Sequence, residues 1–121
     1  MAWKFDAGVS VAIQIQHKLA LDILGGIYAP GTPFPTVRAL AFEASVNPNT
    51  MQKALTALEE QGLLVGHGTA GRFVTEDTAV LQEIRKKMQR EYLLHVIREA
   101  TALGITTEDF LRFIKESEGS H

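Results

Sequence analysis

Cysteine is absent from the chain. That excludes a disulfide framework and any thiolate-ligated metal site, and it fits a reducing cytosol. Long apolar runs are absent as well: no stretch approaches the roughly 20 residues a membrane span needs. The opening residues, Met1 to Asp6, lack the basic-then-apolar plan of a signal peptide. A soluble, cytoplasmic protein is the expectation. Nor is there a surplus of positive charge. Lys and Arg number 12 against 14 Asp and Glu, a formal net charge of −2. Residues 1–74 hold five basic and five acidic side chains, and the remainder holds seven and nine. The attraction that dominates non-specific DNA binding is therefore weak. A nucleic-acid partner would have to be held by a few well-placed groups, present in two copies. Catalytic arrangements are missing too. There is no paired-carboxylate, Ser/His/Asp or phosphate-loop pattern, and His17, His67, His95 and His121 lack metal-ligand spacing. An enzyme, a metal or a cofactor finds no support in this sequence.

What is present is ordinary globular composition, 45% apolar and 21% charged over 121 residues. It suits one small domain with a helical appendage. A core this small gains from an additional subunit interface. Trp3-Lys4-Phe5 alternates like a short strand. A helical pattern follows, with Ala12, Ile15, Leu19, Ile23 and Ile27 at spacings of three and four, and Ile13, Leu21 and Leu24 broadening the face. Gly25-Gly26 weakens it and Pro30-Gly31-Thr32-Pro33 ends it. Thr36 can cap a helix from Val37 to Ala44, whose inward residues are Val37, Leu40 and Ala41. After the turn Ser45-Val46, Asn47-Pro48 is a strong helix start: Asn caps well, and Pro at the first helical position has no N–H to leave unpaired. That helix runs to Gln61, with Met51, Ala54, Leu55 and Leu58 inward and Gly62 as its stop. Leu63-Leu64-Val65 and Arg72-Phe73-Val74 flank a segment with three glycines and predict a two-stranded hairpin.

A long helix, roughly Thr78 to Leu103, comes next. Leu81, Ile84, Met88, Tyr92, Val96, Ala100 and Leu103 trace one stripe, which Leu93, Leu94 and Ile97 widen. Gly104 ends it. Thr106 and Asp109 nearly match a capping box for a last helix, and Ile105 and Phe110 have the spacing of a hydrophobic staple. Phe110, Leu111, Phe113 and Ile114 form its apolar side. The expected fold class is therefore mainly α with a small β-hairpin wing: a winged helix-turn-helix over residues 1–75 and a two-helix dimerisation element over 76–121. The long stripe exceeds what the short last helix can cover, so a second copy is the expected cover. The tail is also too small to enclose a pocket of roughly 300–1,000 Å³.

The order helix, helix, turn, helix, hairpin suits DNA for a geometric reason. Asn49, Lys53 and Thr56 lie opposite the apolar face of the third helix, with Gln52 at the margin. Amide, ammonium and hydroxyl groups at the N-terminal end of such a helix can reach major-groove base edges. Its backbone N–H groups could receive a phosphate.

Three segments then become recognisable: Pro35-Thr36-Val37-Arg38-Ala39-Leu40-Ala41, Val46-Asn47-Pro48-Asn49-Thr50 and Leu58-Glu59-Glu60-Gln61-Gly62-Leu63. In that order and spacing, over about residues 10–74, the chain resembles the GntR family of bacterial transcription regulators, and its short tail resembles the YtrA subfamily. The resemblance implies a sequence-specific regulator, a repressor, that binds a double-stranded inverted-repeat operator as a homodimer. It implies DNA contacts from Arg38, next to the cap Thr36, and from Asn47, Asn49 and Thr50. Gln52 stands where relatives often carry Arg, beside Lys53, whose ammonium suits phosphate better than base readout. The wing departs from the common Arg-Gly-x-Gly-Thr-Phe pattern. His67-Gly68 resembles a minor-groove wing in a fatty-acid-responsive relative, and the usual wing arginine is absent or displaced to Arg72. Bland readings stand beside these. Arg38 could pair with Glu43 or Glu60, Asn47 could serve as a cap, His67 could fill a loop, and Arg85-Lys86-Lys87 with Arg90 could be a solvated face. The competing function is a winged-helix protein–protein interaction module, favoured by the neutral charge of residues 1–74.

Overall fold

The computed structural model describes residues 3–119. The order is α1 (Val11–Leu24), α2 (Val37–Ala44), α3 (Pro48–Gln61), β1 (Leu64–Gly66), a 3-10 turn Gly68–Ala70, β2 (Arg72–Val74), α4 (Thr78–Ala102) and α5 (Thr107–Gly119). This is the expected mainly α architecture with a hairpin wing. The chain divides within α4 into two compact units, one ending at Glu83 and the other beginning at Ile84.

In the first unit, α3 packs against α1, α2 and β1. Its core is built from Ile15, Leu19 and Ile23 of α1, Leu40 and Ala44 of α2, and Met51, Leu55 and Leu58 of α3, all buried. Helix α1 buries a narrower stripe than its sequence predicts. Ile13 and Leu21 are more than half exposed, and Ile27 is 71% exposed beyond the helix end. The cause of the last is Gly25-Gly26. Gly25 caps α1, and Gly26 turns the chain away at φ +83°.

The strand expected at Trp3-Lys4-Phe5 does not form; those residues are irregular. Gln14 anchors the residues that follow. Its Oε1 accepts from the Asp6 N–H at 2.8 Å, and its Nε2 donates to the carbonyls of Asp6 at 3.0 Å and Val9 at 3.1 Å. Those backbone groups are therefore satisfied by a helix side chain. Trp3 lies under the Lys18 ammonium, 4.8 Å from the ring centroid. A surface cavity of about 570 Å³ separates this segment from Ile13, His17 and Leu21.

The wing pairs Leu64 with Val74, Val65 with Phe73 and Gly66 with Arg72, antiparallel. β1 starts one residue later than its apolar run suggests. The Leu63 N–H is already bonded to the Leu58 carbonyl at 3.0 Å, closing α3 after Gly62 at φ +89°. The Gly31–Phe34 loop, expected only to end a helix, braces the other edge of β2. Gly31 N–H donates to the Val74 carbonyl at 2.9 Å, Val74 N–H to the Thr32 carbonyl at 3.0 Å, and Phe34 N–H to the Arg72 carbonyl at 2.8 Å. Tyr28 packs at a tilt on buried Phe34, ring centroids 4.7 Å apart. Burial, then the charges of Asp22 and Glu43, push its phenol above the ordinary value.

In the second unit the capping box is formed as expected. Asp109 N–H donates to Thr106 Oγ1 and Thr106 N–H to Asp109 Oδ2, both at 3.1 Å. No residue of α4 or α5 is buried. Tyr92 is 66% and Leu103 is 78% exposed. Among the described residues no helix is long and apolar enough to cross a membrane.

Two outcomes follow from these local geometries. The Thr106 backbone hydrogen bond, reinforced by its hydroxyl, holds the Asp109 carboxyl below the usual carboxylate range. A carboxylate whose folded pKa is depressed adds stability above its unfolded pKa and loses it as pH falls through the folded one. Carboxyl NMR should find Asp109 titrating below a model aspartate, with α5 helicity fading only as it protonates. An ordinary pKa would contradict the box. Ser45 sits in the left-handed region at φ 58° in the turn between α2 and α3, where a side chain costs energy that glycine avoids. Ser45→Gly is expected to raise the unfolding free energy by roughly 0.5–1 kcal/mol. A lowered urea midpoint would refute that.

Candidate nucleic-acid interface

Two caps set the geometry of the exposed surface. Thr36 Oγ1 accepts from the Ala39 N–H at 3.1 Å and starts α2. Asn47 Oδ1 accepts from the Asn49 N–H at 2.8 Å and starts α3. From these starts the apolar spacing fixes what faces outward. Arg38 is exposed on α2, and Asn49, Gln52, Lys53 and Thr56 are exposed on α3, while Thr50 is half-buried. Among the described residues neither Arg38 nor Lys53 enters an ion pair. Arg38 is therefore not neutralised by Glu43 or Glu60. Gln52 Nε2 donates to Thr56 Oγ1 at 3.3 Å.

Most backbone amides at the start of α3, where a phosphate contact is expected, already have partners within the chain. Pro48 has no N–H, the Asn49 N–H is taken by the Asn47 side chain, and the Thr50 N–H bonds the Asn47 carbonyl at 3.0 Å. The α3 cap has used most of the donors that an anion would need.

On the wing, Gly68 opens the 3-10 turn at φ +58°. His67 is exposed, yet its ring meets Phe73 edge-on with centroids 4.9 Å apart. Arg72 is not a free wing-tip cation. Its Nε donates to Glu59 Oε1 of α3. Glu59 also crosses above Gly66, the cross-strand partner of Arg72; a Cβ at Gly66 would lie 3.3 Å from Glu59 Oε2. The carboxylate thus ties β2 to α3 and passes close over Gly66 of β1.

The exposed side of α3 is polar and free of acidic groups from Asn49 through Thr56, and a hairpin wing follows the helix. Residues 12–74 match the profile of the bacterial regulatory proteins of the gntR family. The chain belongs to the GntR family. It is similar to the HTH-type transcriptional repressor YtrA of Bacillus subtilis, 35% identical over 104 residues, covering 85% of this chain and 80% of the relative. The HTH-type transcriptional regulator YhcF of the same organism is 29% identical over 112 residues and 93% of each chain. A GntR family transcriptional regulator from Listeria monocytogenes superposes with a TM-score of 0.84 at 29% identity, covering 93% of this chain and 98% of that one. AraR(DBD), solved in complex with operator ORX1, gives 0.54 at 27% identity over 60% of this chain and 93% of that one. This GntR protein is a YtrA-like transcriptional regulator with a winged helix-turn-helix DNA-binding domain.

Two residues of this surface escape sequence reasoning. Glu59 reads as a solvated charge, because nothing local announces a partner 13 positions away; glycine at Gly66 is the faint trace of its crossing. Phe42 is 89% exposed. It sits four residues after Arg38, hence on the same helix face, and a helical projection of α2 would have found it. The Glu59–Arg72 clasp should contribute to stability as a pair. In a double-mutant cycle, Glu59→Gln and Arg72→Gln should couple by about 0.5–1 kcal/mol, given partial exposure of both groups. Strict additivity would mean that the pair does not hold the wing.

Proposed function

We propose that this protein is a cytoplasmic, sequence-specific transcriptional repressor that binds an inverted-repeat operator as a homodimer. The observation that carries the reading is the exposed polar face Asn49, Gln52, Lys53 and Thr56, free of acidic groups from Asn49 through Thr56, together with exposed Arg38 on α2, which enters no ion pair among the described residues. Arg38 makes a bidentate contact to a guanine edge. Asn49, Thr50 and Gln52 approach base edges, Asn47 caps α3 with a phosphate contact as its second role, and Lys53 meets phosphate. Thr36 holds Arg38 in place through the α2 cap. His67 and Gly68 carry the wing toward the adjacent groove, and Arg72 positions that wing through Glu59. The repressor role is supported by similarity to YtrA, and the operator by similarity to AraR(DBD), which is bound to one.

Residues 1–75 serve DNA binding and 76–121 dimerisation. The support is an exposed apolar surface on the tail that includes Tyr92, Leu93, Ile97, Leu111 and Phe113. A protein of this size rarely leaves such a surface in water, and a two-fold copy covers it. Two copies of α3 then favour half-sites about one helical turn, ~10 bp, apart or a longer related spacing. The second reading, a protein-contact module, draws on exposed Phe42 and on the balanced charge of residues 1–74.

A gel shift with the DNA upstream of its own gene separates the two readings: a discrete complex supports repression, and none at low salt favours protein contact. Arg38→Ala should cost ~1–3 kcal/mol and relax one base position, whereas Lys53→Ala should weaken all sequences alike and reduce the salt slope by about one unit. Wild-type affinity for both variants across a salt titration would remove the model. A chain ending after Glu83, the limit of the first compact unit, should sediment as a monomer and lose most operator affinity, because linked half-sites gain from effective concentration. A dimer would assign the interface elsewhere.

A further inference from the structure

Within the operator reading, on which this inference rests, we propose that Gln52 reads an adenine in each half-site and is the residue that sets base identity at that position. Helix α3 contains no arginine; its sole cation is Lys53. Gln52, Thr56 and Glu59 follow one another at spacings of four and three along one edge of the helix. Each has a defined partner. Glu59 holds Arg72, so that guanidinium is engaged. Thr56 Oγ1 accepts one of the two Nε2 protons of Gln52 at 3.3 Å. That bond orients the carboxamide and leaves one N–H donor beside the Oε1 acceptor.

A donor next to an acceptor matches one base edge in the major groove. Adenine presents the N7 acceptor and the N6 donor side by side. Guanine presents two acceptors, N7 and O6, so the Gln52 carbonyl would face an oxygen. Cytosine offers only the N4 donor, and thymine only the O4 acceptor with its methyl group. The hydroxyl of Thr56 is therefore a positioning group, and the carboxamide of Gln52 is the reader.

The test is in vitro selection from a random duplex pool, with the full-length protein and its Gln52→Ala and Gln52→Arg variants. The wild type should select sites with a fixed A·T pair in each half. Gln52→Ala should select the same sites with that one position relaxed, and Gln52→Arg should install guanine there. Replacing that adenine by 7-deazaadenine, which lacks N7, should weaken wild-type binding about tenfold and leave Gln52→Ala unaffected. Thr56→Val should relax the same position and no other. If Gln52→Ala selects sites identical to the wild type, or if the dependent position is G·C, the adenine assignment is overturned while operator binding stands. If the wild type enriches no sequence, both fall.

Discussion

Helix α3 has to satisfy two opposed demands, and the rest of the molecule is arranged around that constraint. Met51, Leu55 and Leu58 are fully buried at 0% exposure, each burial contributing about 1.5–3 kcal/mol. Asn49, Gln52, Lys53 and Thr56, on the same helix, remain in solvent. One face can be buried and the other left free only if packing comes from one side. Helices α1 and α2 supply it, and β1 closes the C-terminal end. The caps at Asn47 and Gly62 fix where the helix begins and stops, and so fix which side chains reach the open face.

The charge distribution follows from that division of labour. A chain with balanced charge over its first 74 residues gains little from long-range attraction to DNA, so the identity of the exposed groups matters more than their number. Two of the five cations in that region are paired, Lys18 with Asp22 and Arg72 with Glu59. The Arg72–Glu59 pair removes a free charge from the wing and adds a connection between the wing and α3. The Gly31–Phe34 loop braces the same strand from its other edge. A short hairpin, marginal alone, is thereby held at both sides.

The tail is organised differently. A 25-residue helix with no buried residue has little tertiary support within one chain, and helices in water are marginal without packing. Its order within the subunit rests on local devices: Asp77 Oδ1 accepting from Ala79 and Val80 at the start of α4, the His95–Glu99 pair at 3.0 Å, and the Thr106–Asp109 box. Val80, Leu81, Ile84, Met88 and Val96 are half-buried within the chain, while Tyr92, Leu93, Ile97, Leu111 and Phe113 stay exposed.

By itself the sequence determined the elements. The caps Thr36 and Asn47, the stop at Gly62, the core stripe of α3 and the Thr106–Asp109 box all depend on neighbours three or four residues away, and helical periodicity makes such relations legible. Only tertiary structure decided what depends on distant chain segments. Trp3–Phe5 alternates like a strand, but among the described residues no strand pairs with it, and the chain is instead tied down just beyond it, at Asp6 and Val9, by Gln14. Ile13 and Leu21 are as apolar as Ile15, yet a core of this size accepts one stripe of α1 and leaves the others in water. Arg72 looked like a wing cation until the hairpin register set it opposite Gly66, within reach of Glu59. In each case the deciding partner is remote in sequence, and a backbone donor, a buried volume or a charge can be satisfied only once.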